Sequence, residues 1–123
     1  MSDVSRETVL NPVEVEQAIR QAANTVAEGV AIVSQRLDAY RTAQRIFDVA
    51  EATAYMRATG PVQERKYAAV LACQAERQAL DVAEVAFKYA ERKAKAAEST
   101  LSAYQTVGKL VMSMYGAAGR GEY

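Results

Sequence analysis

Thr59-Gly60-Pro61 is the stretch that decides the fold, because it interrupts a chain that otherwise favours continuous helix. Alanine makes up about a fifth of the 123 residues, and the only other proline is Pro12. Glycine readily adopts the left-handed conformation that ends many helices, and proline suits the first turn of the helix that follows. The stretch therefore predicts two long helices joined by a tight turn at residues 59–61.

The first helix is predicted to begin at Asn11-Pro12-Val13-Glu14. Asparagine is a favourable N-cap, and proline suits the first helical position because its missing N–H leaves no donor unsatisfied there. Residues 1–11 are then predicted to be a flexible N-terminal tail. Residues 116–123 contain three glycines and are predicted to be a flexible C-terminal tail, which leaves residues 12–115 as the helical domain.

Apolar residues recur at close to heptad spacing in both helices, which is typical of a coiled coil. We call this contact line the principal seam and assign it as the oligomerisation seam. Its alanines allow two helix backbones to approach closely. Its members are Val26, Val33, Tyr40, Phe47, Leu80, Ala83, Phe87, Ala90, Ala94, Ala97, Leu101 and Tyr104.

The predicted fold class is all-α: a long antiparallel two-helix hairpin, similar to a coiled coil. A hairpin folded at Gly60 places Phe47 near Cys73, and Val33 near Phe87.

Several apolar residues lie off the principal seam and would widen the apolar surface of the hairpin. They are Ile32, Ile46, Val49, Val82, Val85, Tyr89, Leu110 and Met114. Two helices alone cannot bury so wide a surface, so we expect a homo-oligomer. The simplest form is a dimer of hairpins that makes a four-helix bundle, and a partner protein is the other way to cover the surface.

Composition excludes several kinds of site. Without His the chain lacks the commonest metal ligand and the usual general base near neutral pH, and one Cys cannot form an internal disulfide. Cys73 lies among apolar residues and is predicted to be a small buried side chain rather than a nucleophile. We therefore expect no enzyme activity, no catalytic residue, no metal and no cofactor.

Charge and the N-terminal sequence bear on partners and location. The 15 Lys+Arg balance the 15 Asp+Glu, so the chain as a whole has no attraction for DNA or anionic lipid. Its first residues lack the apolar core of a signal peptide. We expect a cytoplasmic protein that does not bind membranes.

The densest basic cluster lies in the second helix and contains Lys88, Arg92, Lys93 and Lys95. It is the best candidate for contacts with nucleic-acid phosphates. Glu84, Glu91 and Glu98 lie in the same stretch and can form ion pairs with these residues at helical spacing. A solvated, ion-paired helix face is therefore the competing interpretation, and we favour it.

Four segments carry a resemblance to a known group of proteins: Gly60–Lys66, Leu80–Glu84, Tyr89–Ala96 and Leu101–Val107. Over residues 12–118 the chain resembles small helical proteins encoded by phages of actinobacteria. The resemblance implies a phage origin and the cytoplasm of the host cell as the location. That group has no settled biochemical role, so the resemblance transfers no functional residues.

These observations favour a non-enzymatic phage interaction protein. It is predicted to self-associate through the principal seam and to bind a phage or host protein. One alternative is an accessory protein in phage DNA replication or recombination, which would bind DNA through the basic cluster. The other is a component of virion assembly or a scaffold.

Overall fold

The structure is a computed structural model that describes residues 11–121, and over these residues it is helical with no strand. Helix α1 spans Pro12–Arg57, α2 spans Val62–Ala72 and α3 spans Gln74–Gly121. The predicted all-α class is confirmed. The second predicted helix is divided into α2 and α3.

The start of α1 follows from the capping residue. The Oδ1 atom of Asn11 accepts a hydrogen bond from the backbone N–H of Glu14 at 2.9 Å, and the Asn11 carbonyl accepts one from Val15 N–H at 3.0 Å. Such a cap stabilises a helix by about 1 kcal/mol because it satisfies a donor that otherwise has no partner. The predicted N-cap is therefore confirmed.

The turn between α1 and α2 lies where the sequence predicts it. Gly60 has a φ of 105°, in the left-handed region that favours glycine. Pro61 has an extended conformation and directly precedes α2, and its carbonyl accepts a hydrogen bond from Arg65 N–H at 3.0 Å. Gly60 thus allows the chain to turn, and Pro61 is the N-cap residue of α2.

The break between α2 and α3 falls at Cys73, which the sequence does not predict. Cys73 leaves the helical conformation, with φ −110° and ψ 25°, while its N–H still donates to the carbonyls of Ala69 and Val70. Its own carbonyl accepts from Arg77 N–H at 2.9 Å and so begins α3. Neither glycine nor proline marks the position, and the hydrogen bonds on both sides are kept.

Contacts divide the chain into two units, each of which pairs part of α1 with part of α3 in antiparallel orientation. The first unit contains the described residues up to 30 and from 93 onward. The second unit is Ala31–Arg92 and includes the turn and α2.

The core of the second unit is a cluster of the buried side chains Phe47, Cys73 and Leu80. Phe47 shares this cluster with Cys73, as the sequence predicts. Farther from the turn, the ring of Phe87 stacks on Tyr40 with centroids 5.7 Å apart, and the proximity of Val33 to Phe87 stays a prediction.

The first unit packs around a small residue. A Cβ atom added to Gly108 would lie 3.1 Å from Ile19 Cδ1 and 3.2 Å from Val15 Cγ1, so α1 side chains press directly on the α3 backbone. Val15 and Ala22, on either side of Ile19 in the sequence, are buried, and so is Val111, which follows Gly108 by three residues. The absence of a side chain at residue 108 is thus what allows this close packing.

The two predicted tails compare differently with the structure. Residues 1–10 lie outside the described part of the chain, and Asn11 is the N-cap. At the other end α3 continues to Gly121, so the predicted helix end at Tyr115 is wrong. Each glycine in a helix costs only about 1 kcal/mol relative to alanine, and no proline follows to stop the helix.

Candidate interaction surfaces

The principal seam lies at the contact between α1 and α3 within the units. Phe47, Leu80 and Ala90 are buried, and Tyr104 is 40% exposed. The remaining members are partly buried, and they are Val26, Val33, Tyr40, Ala83, Phe87, Ala94, Ala97 and Leu101. The seam residues therefore pack largely within one chain, and their role in oligomerisation stays a prediction.

The apolar residues off the seam are all exposed, as the sequence predicts. Their exposed fractions run from 43% for Ile32 to 68% for Val85. The others are Ile46, Val49, Val82, Tyr89, Leu110 and Met114. Scattered exposed apolar residues are common on protein surfaces, so their arrangement decides whether they form a site.

On α1 of the second unit, every large apolar residue that is exposed falls on one line along the helix. This line follows alternating steps of three and four residues, which keep it on one side of an α-helix. We call it the α1 stripe, and its members are Ile32, Gln35, Ala39, Thr42, Ile46, Val49, Thr53 and Met56. All eight are exposed and none is charged. The stripe is therefore an uncharged line of exposed side chains that includes four large apolar residues, Ile32, Ile46, Val49 and Met56.

A second group of exposed apolar residues lies on α3 of the same unit. Val82, Val85 and Tyr89 follow the same steps of three and four and are 62–68% exposed. Charged residues beside them are paired within the chain. Asp81 lies 3.6 Å from Arg77, and Lys88 lies 3.3 Å from Glu84.

The basic cluster is divided between the two units. Lys88 and Arg92 belong to the second unit, and Lys93 and Lys95 belong to the first. All four side chains are exposed. The ion pair between Lys88 Nζ and Glu84 offsets part of the positive charge, as the competing interpretation requires. Binding of nucleic acid by this cluster stays a prediction.

Arg65 links α2 to the end of α1, a role that sequence reasoning missed. Its Nη2 donates to the carbonyl of Tyr55 at 3.3 Å, and its Cζ lies 4.4 Å from the centroid of the Tyr55 ring. The carbonyls of a last helical turn have no partner within the helix, and a cation is favourable there. No spacing signal identifies this contact, because it depends on how the turn brings α2 back onto α1.

Cys73 is buried, as predicted. Burial raises the pKa of its thiol, and the carboxylates of Glu76 and Glu51 raise it further. The thiol is therefore protonated near neutral pH, and a protonated thiol is a poor nucleophile. The environment of Cys73 thus suits core packing.

An open groove of about 950 Å³ lies at the end of the first unit where α1 begins. Its apolar wall is formed by Val15, Ile19, Gly108 and Met112, and its charged residues are Glu16 and Lys109.

Within the described residues there is no group of three or more His, Cys, Asp or Glu placed to hold a metal ion. None of the helices over residues 11–121 has a stretch long and apolar enough to cross a membrane.

The fold and these surfaces define the class: an all-helical protein of paired antiparallel helices with an uncharged apolar stripe on one of them. No family model matches the chain, and no curated protein or solved structure is significantly similar to it.

Proposed function

We propose that this is a non-enzymatic helical interaction protein that self-associates through exposed apolar residues outside its principal seam. The α1 stripe is the observation that carries the proposal. Burying a Val or Ile side chain contributes about 1.5–3 kcal/mol relative to leaving it exposed, so covering several along one helix favours association. The formal net charge of zero means that two copies do not repel each other through net charge.

The proposed assembly is a dimer in which two copies bury their stripes and together form a four-helix bundle. An assembled dimer presents each remaining exposed surface twice, which strengthens binding to a further protein by multivalency. In the setting that the phage resemblance implies, that further protein belongs to the phage or its host.

The experiment compares two double variants that add the same negative charge. Ile46→Glu with Val49→Glu places two carboxylates on the α1 stripe, where a dimer would bury them. Ser34→Glu with Gln74→Glu places them at exposed polar positions off the stripe. Light scattering after size exclusion should give a dimer for the wild type and the control, and a monomer for the stripe variant.

Circular dichroism should give the same helix content for all three proteins, because all four substituted positions are exposed. A stripe variant that dimerises as well as the control would contradict the proposal. So would a wild type that stays monomeric at the highest concentration reached.

A further inference from the structure

We infer that the second copy packs on the α1 stripe with its own α1 in antiparallel orientation, and that Asp38 of each copy pairs with Arg45 of the other. This inference rests on the proposed self-association and adds the orientation, the register and the ion pairs. The two-fold axis crosses the helix pair between residues 40 and 41.

The stripe itself suits a helix pair centred there. Ala39 and Thr42 lie beside the axis, and small side chains allow two helices to approach closely. The larger Ile32 and Val49 lie on either side and face each other in the antiparallel pair. In this register the small residues lie at the centre, Gln35 faces Ile46 next to them, and Ile32 faces Val49 beyond.

Two opposite charges lie along one edge of the stripe. Asp38 directly precedes Ala39, and Arg45 directly precedes Ile46, so the two charges are one heptad apart on the same edge. Both side chains are exposed. Within the described residues neither forms an ion pair with another side chain of the chain.

Arg45 is already positioned along the stripe. Its Nη2 donates to Thr42 Oγ1 at 3.2 Å, which holds the guanidinium beside the centre of the proposed interface. In the antiparallel pair, Thr42 of one copy faces Ala39 of the other, and Asp38 is the next residue along that helix. The carboxylate of the second copy therefore approaches the guanidinium where the hydroxyl group holds it.

The charges also exclude other arrangements. In an antiparallel helix pair, residues on this edge face the same edge of the other helix. Moving the register by one heptad in one direction sets Arg45 against Arg45, and in the other direction it sets Asp38 against Asp38. A parallel pair sets both charges against alanines, Ala43 and Ala50. Among these arrangements, only the register centred between residues 40 and 41 pairs Asp38 with Arg45. The two-fold axis then produces this ion pair twice, once from each copy.

The apolar group on α3 lacks this property. Asp81 and Lys88 have the same spacing beside Val82 and Tyr89, yet Arg77 and Glu84 of the same chain already pair with them. Asp81 and Lys88 therefore have oppositely charged partners without a second copy. The unpaired charges therefore select α1 as the helix through which two copies meet.

The length of the contact sets its strength. Residues 32–49 of two antiparallel helices overlap over about 27 Å, at about 1.5 Å per residue. An interface of this length is at the small end of those in specific complexes. We therefore expect a reversible dimer whose population depends on concentration.

The test is a charge exchange followed by sedimentation equilibrium. Asp38→Arg and Arg45→Asp each set like charges against each other twice, so each variant alone should dimerise about tenfold more weakly. The double variant restores two opposite pairs and should return to within about threefold of the wild type. An equimolar mixture of the two single variants should form a heterodimer, because all its cross pairs are then opposite in sign.

A crosslink checks the register independently. Ala39→Cys in one copy and Thr42→Cys in another should form a disulfide on mixing, whereas a parallel pair would join Ala39→Cys to itself. Buried Cys73 remains in both variants, and the unmodified protein is the control for its reactivity.

The outcomes separate this inference from the proposed function. A dimer that both single reversals leave intact, or that the double variant does not restore, overturns the antiparallel α1 pairing and leaves self-association standing. A wild type that shows no dimer at all overturns both.

Discussion

At the scale of single residues, glycines decide how closely the helices of the first unit approach. A Cβ atom at Gly29 would meet Ala94 Cβ at 3.5 Å, an ordinary contact distance. A Cβ atom at Gly108 would meet Ile19 and Val15 at 3.1–3.2 Å, closer than side chains normally allow. The two glycines look alike in the sequence, because each is a helical glycine on or near the apolar line, and only the packing distinguishes them.

We predict opposite effects for alanine at these two positions. Gly29→Ala should raise the free energy of unfolding by up to about 1 kcal/mol, since alanine favours helix and the space accepts a methyl group. Gly108→Ala gains the same helix preference but overfills the contact with Ile19 and Val15, at a cost of about 1–3 kcal/mol. We expect it to be less stable than Gly29→Ala and no more stable than the wild type.

Urea unfolding followed by circular dichroism measures both variants. Equal stabilisation by the two substitutions would show that Gly108 is not in a tight contact.

At the scale of elements, the sequence predicts the features that local chemistry determines. Asn11 caps α1 because its side chain accepts a hydrogen bond from a nearby N–H, and Gly60 turns the chain because it tolerates positive φ. The break at Cys73 has no local signal, because neither glycine nor proline marks the position. The same holds for the contact of Arg65 with Tyr55, which joins residues from two different helices.

This contact gives a prediction about how α2 is held. Arg65→Met keeps an apolar stem but removes the hydrogen bond to the Tyr55 carbonyl and the cation over its ring. We expect the free energy of unfolding to fall by about 1–2 kcal/mol. Lys66→Met, at the exposed neighbouring position, is the matched control and should change it by less than about 0.5 kcal/mol.

Thermal and urea unfolding compare the two methionine variants directly. If Lys66→Met proved as destabilising as Arg65→Met, the loss would reflect a general effect of removing positive charge from α2 rather than the cap on α1.

At the scale of the whole molecule, sequence reasoning found the candidate surface but not its limits. Heptad spacing separates seam residues such as Phe47 from exposed ones such as Val49, because helix geometry alone decides which side chains share a face. The spacing could not show that the seam is largely covered within one chain. It also could not show that Arg45 lies against Thr42, a detail that depends on side-chain position.

The α1 stripe accounts for the proposed self-association without any catalytic group. Its apolar residues supply the favourable free energy, and the Asp38 and Arg45 charges supply orientation. Substitutions at exposed positions off the stripe, such as Ser34→Glu, should therefore leave assembly unchanged.

Sedimentation velocity of the unmodified protein, from about 1 to 300 μM, tests self-association most directly. Self-association predicts a sedimentation coefficient that rises with concentration from the value of a 13.4 kDa monomer toward that of a dimer. A single species with the mass of a monomer across the whole range would contradict it.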